Sequence, residues 1–175
     1  MKKLLAAAAV AALALTGCAS GGNTETTSDD NTFVVGMECA YAPFNWKTST
    51  ETDTSVPLGS SGYADGYDVR VAQYIADELG MDLEIKTISW DGLLPALDSG
   101  EIDAVIAGMT ANEEREQGAD FTTPYYDSEG MIMIVRKDSE EATYTDIQQF
   151  SGKNVVGQKG TNYDDVINQI QGVNH

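Results

Sequence analysis

Between Phe33 and Met109 the apolar pattern alternates between short strand-like runs and helical stripes, and no other feature constrains the fold as strongly. FVVGM (33–37) is a continuous apolar run, as expected of a strand buried on both faces. DVRVAQYIADELG (68–80) then places Val69, Ala72, Ile75 and Leu79 on one helical stripe, with Asp68 as cap and Gly80 as stop. DLEIKTI alternates through Leu83, Ile85 and Ile88 as a second strand. WDGLLPALDSG is a short helix ending at Gly100, in which Pro95 is tolerated only near the first turn. DAVIAGM (103–109) is a third buried strand. Strand, helix, strand, helix, strand requires crossovers that return each strand parallel to the last, so the predicted class is α/β.

A second unit starts further on. GMIMIVRK (130–137) reads as a long apolar strand, and TDIQQFSGKNVVGQKGT as a short capped helix, a strand from Asn154 and a Gly-Thr turn. TNYDDVINQIQ reads as a helix from Asn162 with Val166, Ile167 and Ile170 on its apolar face. One strand and one helix cannot bury their apolar faces alone, so this second α/β unit is expected to be unfinished. The 28 residues from Glu38 to Asp65 are the longest stretch predicted to be irregular, a length that marks a binding loop or an insertion.

The amino terminus, MKKLLAAAAVAALALTG (1–17), has two lysines, an apolar run too short to span a bilayer comfortably, and small residues ahead of Cys18. It reads as an export signal. LTGC resembles the motif at which bacterial lipoproteins are cleaved and acylated, which makes Cys18 the expected lipid attachment point and membrane anchor. Residues 18–32 are polar and read as a disordered tether, with an average reach on the order of 20 Å.

Charge and cysteine content exclude several function classes. The chain has 28 acidic and 10 basic residues, two of the latter being Lys2 and Lys3 in the expected signal, so nucleic acid is not an expected partner. With Cys18 modified, Cys39 is the single remaining thiol and reads as a small packing residue, so no internal disulfide is expected. The one histidine is His175, which argues against zinc sites and against Ser-His or Cys-His catalysis. No cofactor is expected.

In an open parallel sheet ligands sit beyond the carboxyl ends of the strands, which directs attention to ECAY, SWDG and MTANEER. These segments offer Glu38, Tyr41, Trp90, Thr110 and Arg115. Asn112 can cap a turn holding Glu113 and Glu114, from which Arg115 projects. Arg115 then has two readings: a surface cation paired with Glu113 or Glu116, or a guanidinium fork for a ligand carboxylate beside Thr110. Trp90 and Tyr41 read as core aromatics or as cleft walls, and Glu38 as a solvated acid or a ligand contact.

YAPFNW (41–46), GYDVRVAQYIADELG (66–80), WDGLLPALDSGEIDAVIAGMT (90–110), Arg115 and DFTTPYY (120–126) resemble the solute-binding proteins of polar amino-acid ABC importers, and VVGQKGT (155–161) resembles the opening of their second lobe. The resemblance runs from Phe33 to the chain end. It implies a type II periplasmic-binding-protein clamp with a signal at 1–17, a tether at 18–32, a first lobe at 33–127, a hinge strand region at 128–137, and an incomplete second lobe at 138–175. It further implies that Arg115, Thr110 and the backbone of Gly108 grip the α-carboxylate of an amino acid, with Thr161 contacting it from the second lobe. Tyr41 and Trp90 would enclose the side chain, and Glu38 would favour a cationic or donor-rich one.

The expected protein is therefore a monomeric, lipid-anchored, extracytoplasmic receptor that delivers a free amino acid to a membrane permease, and not an enzyme. Two other functions are compatible with the scaffold: a prephenate- or arogenate-dehydratase-like enzyme, and a sensor lipoprotein that transports nothing. The sequence departs from the family pattern in the polar insertion KTSTETDTSVPLGSSGYAD and in ending early, before the acid that usually meets the ligand ammonium.

Overall fold

A computed structural model describes residues 31–128 and 130–175; the expected signal, Cys18 and nearly all of the tether lie outside the described residues. The chain enters through β1 (Thr32–Met37), with Phe33 to Met37 all buried. Four short strands follow, β2 (Ala40–Tyr41), β3 (Asn45–Thr48), β4 (Val56–Pro57) and β5 (Tyr63–Asp65). After them come α1 (Tyr67–Leu79), β6 (Asp82–Thr87), α2 (Trp90–Asp98) and β7 (Ala104–Val105).

The parallel sheet predicted from the alternation is present, in the order β6-β1-β7. β1 pairs with β6 from Thr32 opposite Asp82 to Met37 opposite Thr87, and its alternation feeds two apolar clusters. Phe33, Val35 and Met37 join Val69, Ala72, Ile85, Leu93 and Ile106, while Val34 packs with Ala96 and Ile102. Gly36 is required by packing: a Cβ there would lie 2.5 Å from Ile102 Cδ1 and 3.2 Å from Leu93 Cδ2.

β7 is far shorter than the predicted seven residues. The Asp103 carboxylate accepts the Val34 N–H at 2.8 Å, replacing a ladder bond, and Gly108 with φ of 59° turns the chain away. Three details of the helices also differ from expectation. Gly66 stands at the start of α1 with no side-chain cap, while Asp68 is buried inside the first turn. Ala76 rather than Leu79 completes the buried stripe, and Leu79 is exposed. Pro95 is the sixth residue of α2, where its missing N–H leaves the carbonyl of Asp91 without the donor four residues on. Gly80 ends α1 in the left-handed conformation, as predicted.

The stretch from Glu38 to Asp65 is not irregular. It forms a four-stranded antiparallel sheet in the order β2-β3-β5-β4, with Trp46 opposite Asp65 and Val56 opposite Ala64. Its strands are two to four residues long, too short for alternation to show in the sequence. Thr52 and Thr54 donate their hydroxyls to the buried Asp65 carboxylate, both at 2.8 Å, which pins the polar loop between β3 and β4.

The later part departs furthest from expectation. Residues 131–134 form no strand; Ile132 is 84 % and Ile134 90 % exposed. A strand exists only with a partner, and among the described residues none pairs with this one. The strand expected from Asn154 is a single parallel bridge to Asn174. The expected helix begins at Asn162 but divides into α3 (Asn162–Asp165) and a 3-10 turn at Val166–Gln169. Phe150, Ile167 and Ile170 are buried here, and Asp146 and Gln149 form the capping box of the turn at Ile147–Phe150. No helix of the described residues is long and apolar enough to cross a membrane.

Candidate functional site

Loops leaving the carboxyl ends of β1, β6 and β7 meet the turn from Gln158 to Tyr163. Arg115 is at the centre. Its N–H donates to Asn112 Oδ1 at 2.9 Å, so Asn112 does cap this turn. The guanidinium is directed inward and is buried. It donates to the carbonyls of Thr110 at 2.6 Å and Gly160 at 3.1 Å, and its carbon lies 5.2 Å from the Trp90 ring centroid. Among the described residues no carboxylate pairs with it, so the surface ion pair with Glu113 or Glu116 is not formed. Burial pushes its pKa down, partly opposed by Asp165 and Glu114; a guanidinium stays charged throughout.

Trp90 links the first part of the cleft to the second. Its indole N–H donates to the Gly160 carbonyl at 2.8 Å, and its backbone N–H to Glu38 Oε1 at 3.3 Å. The Gln158 amide donates to both oxygens of Glu38, at 2.9 and 3.1 Å. Glu38 is therefore a half-buried carboxylate held by neutral donors. Tyr41 stacks on Phe44 with centroids 5.1 Å apart, and its hydroxyl meets that of Tyr163 at 2.9 Å. Burial and the Tyr163 hydroxyl push the Tyr41 phenol up to about 12.

Gly108 lies beneath Tyr41, where a Cβ would come within 3.2 Å of the ring, and its N–H is already donated to the Tyr125 hydroxyl at 3.2 Å. Thr110 is exposed and engages Arg115 through its carbonyl. Thr161 is buried at the start of α3, and its hydroxyl donates back to the Gln158 carbonyl at 2.6 Å, closing its own turn. Cys39 is buried, as expected of a packing residue, and burial raises its thiol pKa. Among the described residues no group of side chains is suited to a metal ion.

The structure thus gathers Glu38, Tyr41, Trp90, Gly108 and Arg115 around one cleft. Sequence reasoning missed Gln158, Gly160 and Tyr163, which reach across it. Gly160 carried a visible signal as the turn glycine before Thr161, whereas Gln158 and Tyr163 looked like ordinary polar positions. Asn112 also crosses the cleft, donating to Asn162 Oδ1 at 3.0 Å.

A parallel sheet with a rim of cation, acid and aromatics, faced by the first turns of a second unit, defines the cleft of a type II periplasmic-binding-protein fold. The chain belongs to the bacterial extracellular solute-binding proteins, family 3, whose pattern matches residues 33–172. It is 34 % identical to the L-cystine-binding protein TcyJ of Escherichia coli K12 over 97 % of this chain and 59 % of that protein. It is 34 % identical to the arginine-binding extracellular protein ArtP of Bacillus subtilis over 92 % of this chain and 57 % of that protein. The chain therefore spans less than two thirds of the length of these relatives. The arginine-bound form of truncated ArgBP from T. maritima superimposes with a TM-score of 0.69 and 33 % identity, over 82 % of this chain and 62 % of that one.

Proposed function

We propose that the chain is the capturing part of an extracytoplasmic receptor that binds a free amino acid with a cationic or donor-rich side chain and passes it to an ABC permease. One observation carries this reading: Arg115 and Glu38 are opposite charges at one cleft, and neither has an ionic partner among the described residues. A dipolar ligand supplies both partners at once. Relatives named for arginine and cystine agree with an amino-acid ligand.

The Gly160 carbonyl now receives donors from both Arg115 and Trp90. A ligand carboxylate would replace it on the guanidinium, exchanging a neutral acceptor for an ionic one worth about 1.5–3 kcal/mol. Glu38 would take the cationic end, with Tyr41 and Trp90 as walls, and Gly108 and Thr110 would shape the carboxylate end. Thr161 serves by ordering the turn that carries Gly160. Capture on the first lobe (33–127), closure of the second (138–175) about the 128–137 region, and recognition of the closed form by the permease complete the cycle. Lipid on Cys18 and the 18–32 tether would hold this monomeric receptor at the membrane, and no chemical step is required.

Calorimetry tests the assignment. The protein should bind one of L-arginine, L-histidine or L-cystine at a single site, and Arg115→Ala should weaken that binding about 10- to 100-fold, as the loss of about 1.5–3 kcal/mol requires. Undiminished affinity in Arg115→Ala removes Arg115 from the site.

A further inference from the structure

Behind the ligand rim runs a polar chain, buried from Cys39 to Asp68 and exposed at Tyr125 and Gly108, of which only Gly108 also has a binding role above. The Cys39 N–H donates to Asn45 Oδ1 at 2.8 Å, and Asn45 Nδ2 donates to Asp68 Oδ2 at 2.7 Å. The other carboxylate oxygen, Asp68 Oδ1, accepts the Tyr125 hydroxyl at 2.8 Å, and that hydroxyl accepts the Gly108 N–H at 3.2 Å. Asp68 and Asn45 are 0 % and 1 % exposed, so water cannot replace a lost partner. The two ends of the chain are the segment after β1, which carries Glu38 and leads into Tyr41 of β2, and the loop after β7, which carries Gly108 and Thr110. Both ends sit in backbone conformations with positive φ, 55° at Cys39 and 59° at Gly108, and Cys39 is the one non-glycine residue so placed among the described residues.

A carboxylate in the first turn of a helix ordinarily serves its own helix; here both oxygens face outward to other elements. Because the Tyr41 ring lies against Gly108, the two loops work only in register with each other. We propose that Asp68 is a positioning residue, which through Asn45 and Tyr125 holds the Cys39 and Gly108 loops in the one relative arrangement that binds ligand. This rests on the amino-acid reading above for its effect on affinity, while the coupling of the loops is a property of the unliganded protein.

Donor and acceptor order supplies the test. In Asp68→Asn the new amide can accept from Tyr125, but its NH2 then faces the NH2 of Asn45. Adding Asn45→Asp restores every donor to an acceptor. In that double variant the carboxylate introduced at position 45 accepts both the Cys39 N–H and the amide at position 68, and Tyr125 donates as before.

Amide spectra of the unliganded protein and calorimetry with L-arginine, L-histidine and L-cystine read the two effects separately. Asp68→Asn should displace the resonances of both Cys39 and Gly108 and weaken binding of whichever amino acid the wild type binds at least ten-fold; the double variant should return both towards wild type. The proposal is overturned if Asp68→Asn leaves either amide in place, or if the double variant regains the melting temperature without regaining the amide positions. Should Asp68→Asn not fold, Tyr125→Phe decides: a displaced Gly108 amide and a weaker complex support the proposal, and unchanged affinity sinks it. A wild type that binds none of the three amino acids defeats the functional reading instead, and the amide positions still decide the coupling.

Discussion

Under the proposed function, Glu38 is the residue that would set ligand preference apart from the carboxylate grip. Its two oxygens are satisfied by Gln158 and by the Trp90 backbone, both neutral, so a negative charge is left facing the cleft. Removing that charge should cost a cationic ligand about 1.5–3 kcal/mol and a neutral one much less. Glu38→Gln is therefore expected to lower L-arginine affinity about 10- to 100-fold while changing L-glutamine affinity little, as read by competitive calorimetry. Arg115 needed more than its sequence context. Glu113 and Glu116 left a surface ion pair open beside the ligand reading, and the guanidinium points inward to two carbonyls and an indole face. Thr110 and Thr161 were legible as positions near the site, but their hydroxyls were not legible as contacts, because side-chain direction depends on turns that close through space.

At the scale of elements, α2 is packed on the sheet through two buried side chains, Leu93 and Ala96. Leu93 is fully buried between the sheet and the helices, and it lies against the position where Gly36 has no side chain. Leu93→Ala should destabilise the first unit by about 2–5 kcal/mol, measured as a lower urea midpoint with an unchanged slope. β1, α1, β6 and α2 were all visible in the sequence, since each carries a full period of its own pattern and meets its partner within the same unit. Residues 130–137 have an equally apolar pattern and form no strand. An extended segment is stabilised by bonds to a neighbour, and its own residues cannot supply them. The small antiparallel sheet between Glu38 and Asp65 failed in the opposite direction: its strands exist by pairing, although none is long enough to announce itself.

For the whole molecule, two bodies of unequal strength share the cleft. The first is built on two apolar clusters, whereas the second buries Phe150, Ile167 and Ile170 and carries a surface clasp of charged side chains. Lys153 lies 2.7 Å from Glu141, and this bond holds the Glu141 carboxyl at about 2 instead of its ordinary 4.5. Because the folded value lies below the unfolded one, the clasp is at full strength above pH 4.5 and is lost as the pH falls towards 2. Lys153 is raised above its ordinary 10.5 by the same partner, so its contribution persists below that value and fades as the pH climbs through the raised one. Methyl spectra of Ile167 and Ile170 should broaden on acidification before those of Ile85 and Ile106. Lys153→Met should remove much of that acid sensitivity.

The order β1, α1, β6, α2 and β7, the stops at Gly80 and Gly100, and the placing of candidate ligand contacts beyond the strand ends were read from the sequence itself. Each follows from local periodicity and backbone preference, which act over a few residues. The tertiary structure alone decided which residues face the cleft from the far side, that Asp68 bonds Asn45 and Tyr125 instead of capping its helix, and that Arg115 is buried. Those outcomes depend on contacts between residues tens of positions apart, where geometry in three dimensions, and no spacing along the chain, sets which donor meets which acceptor.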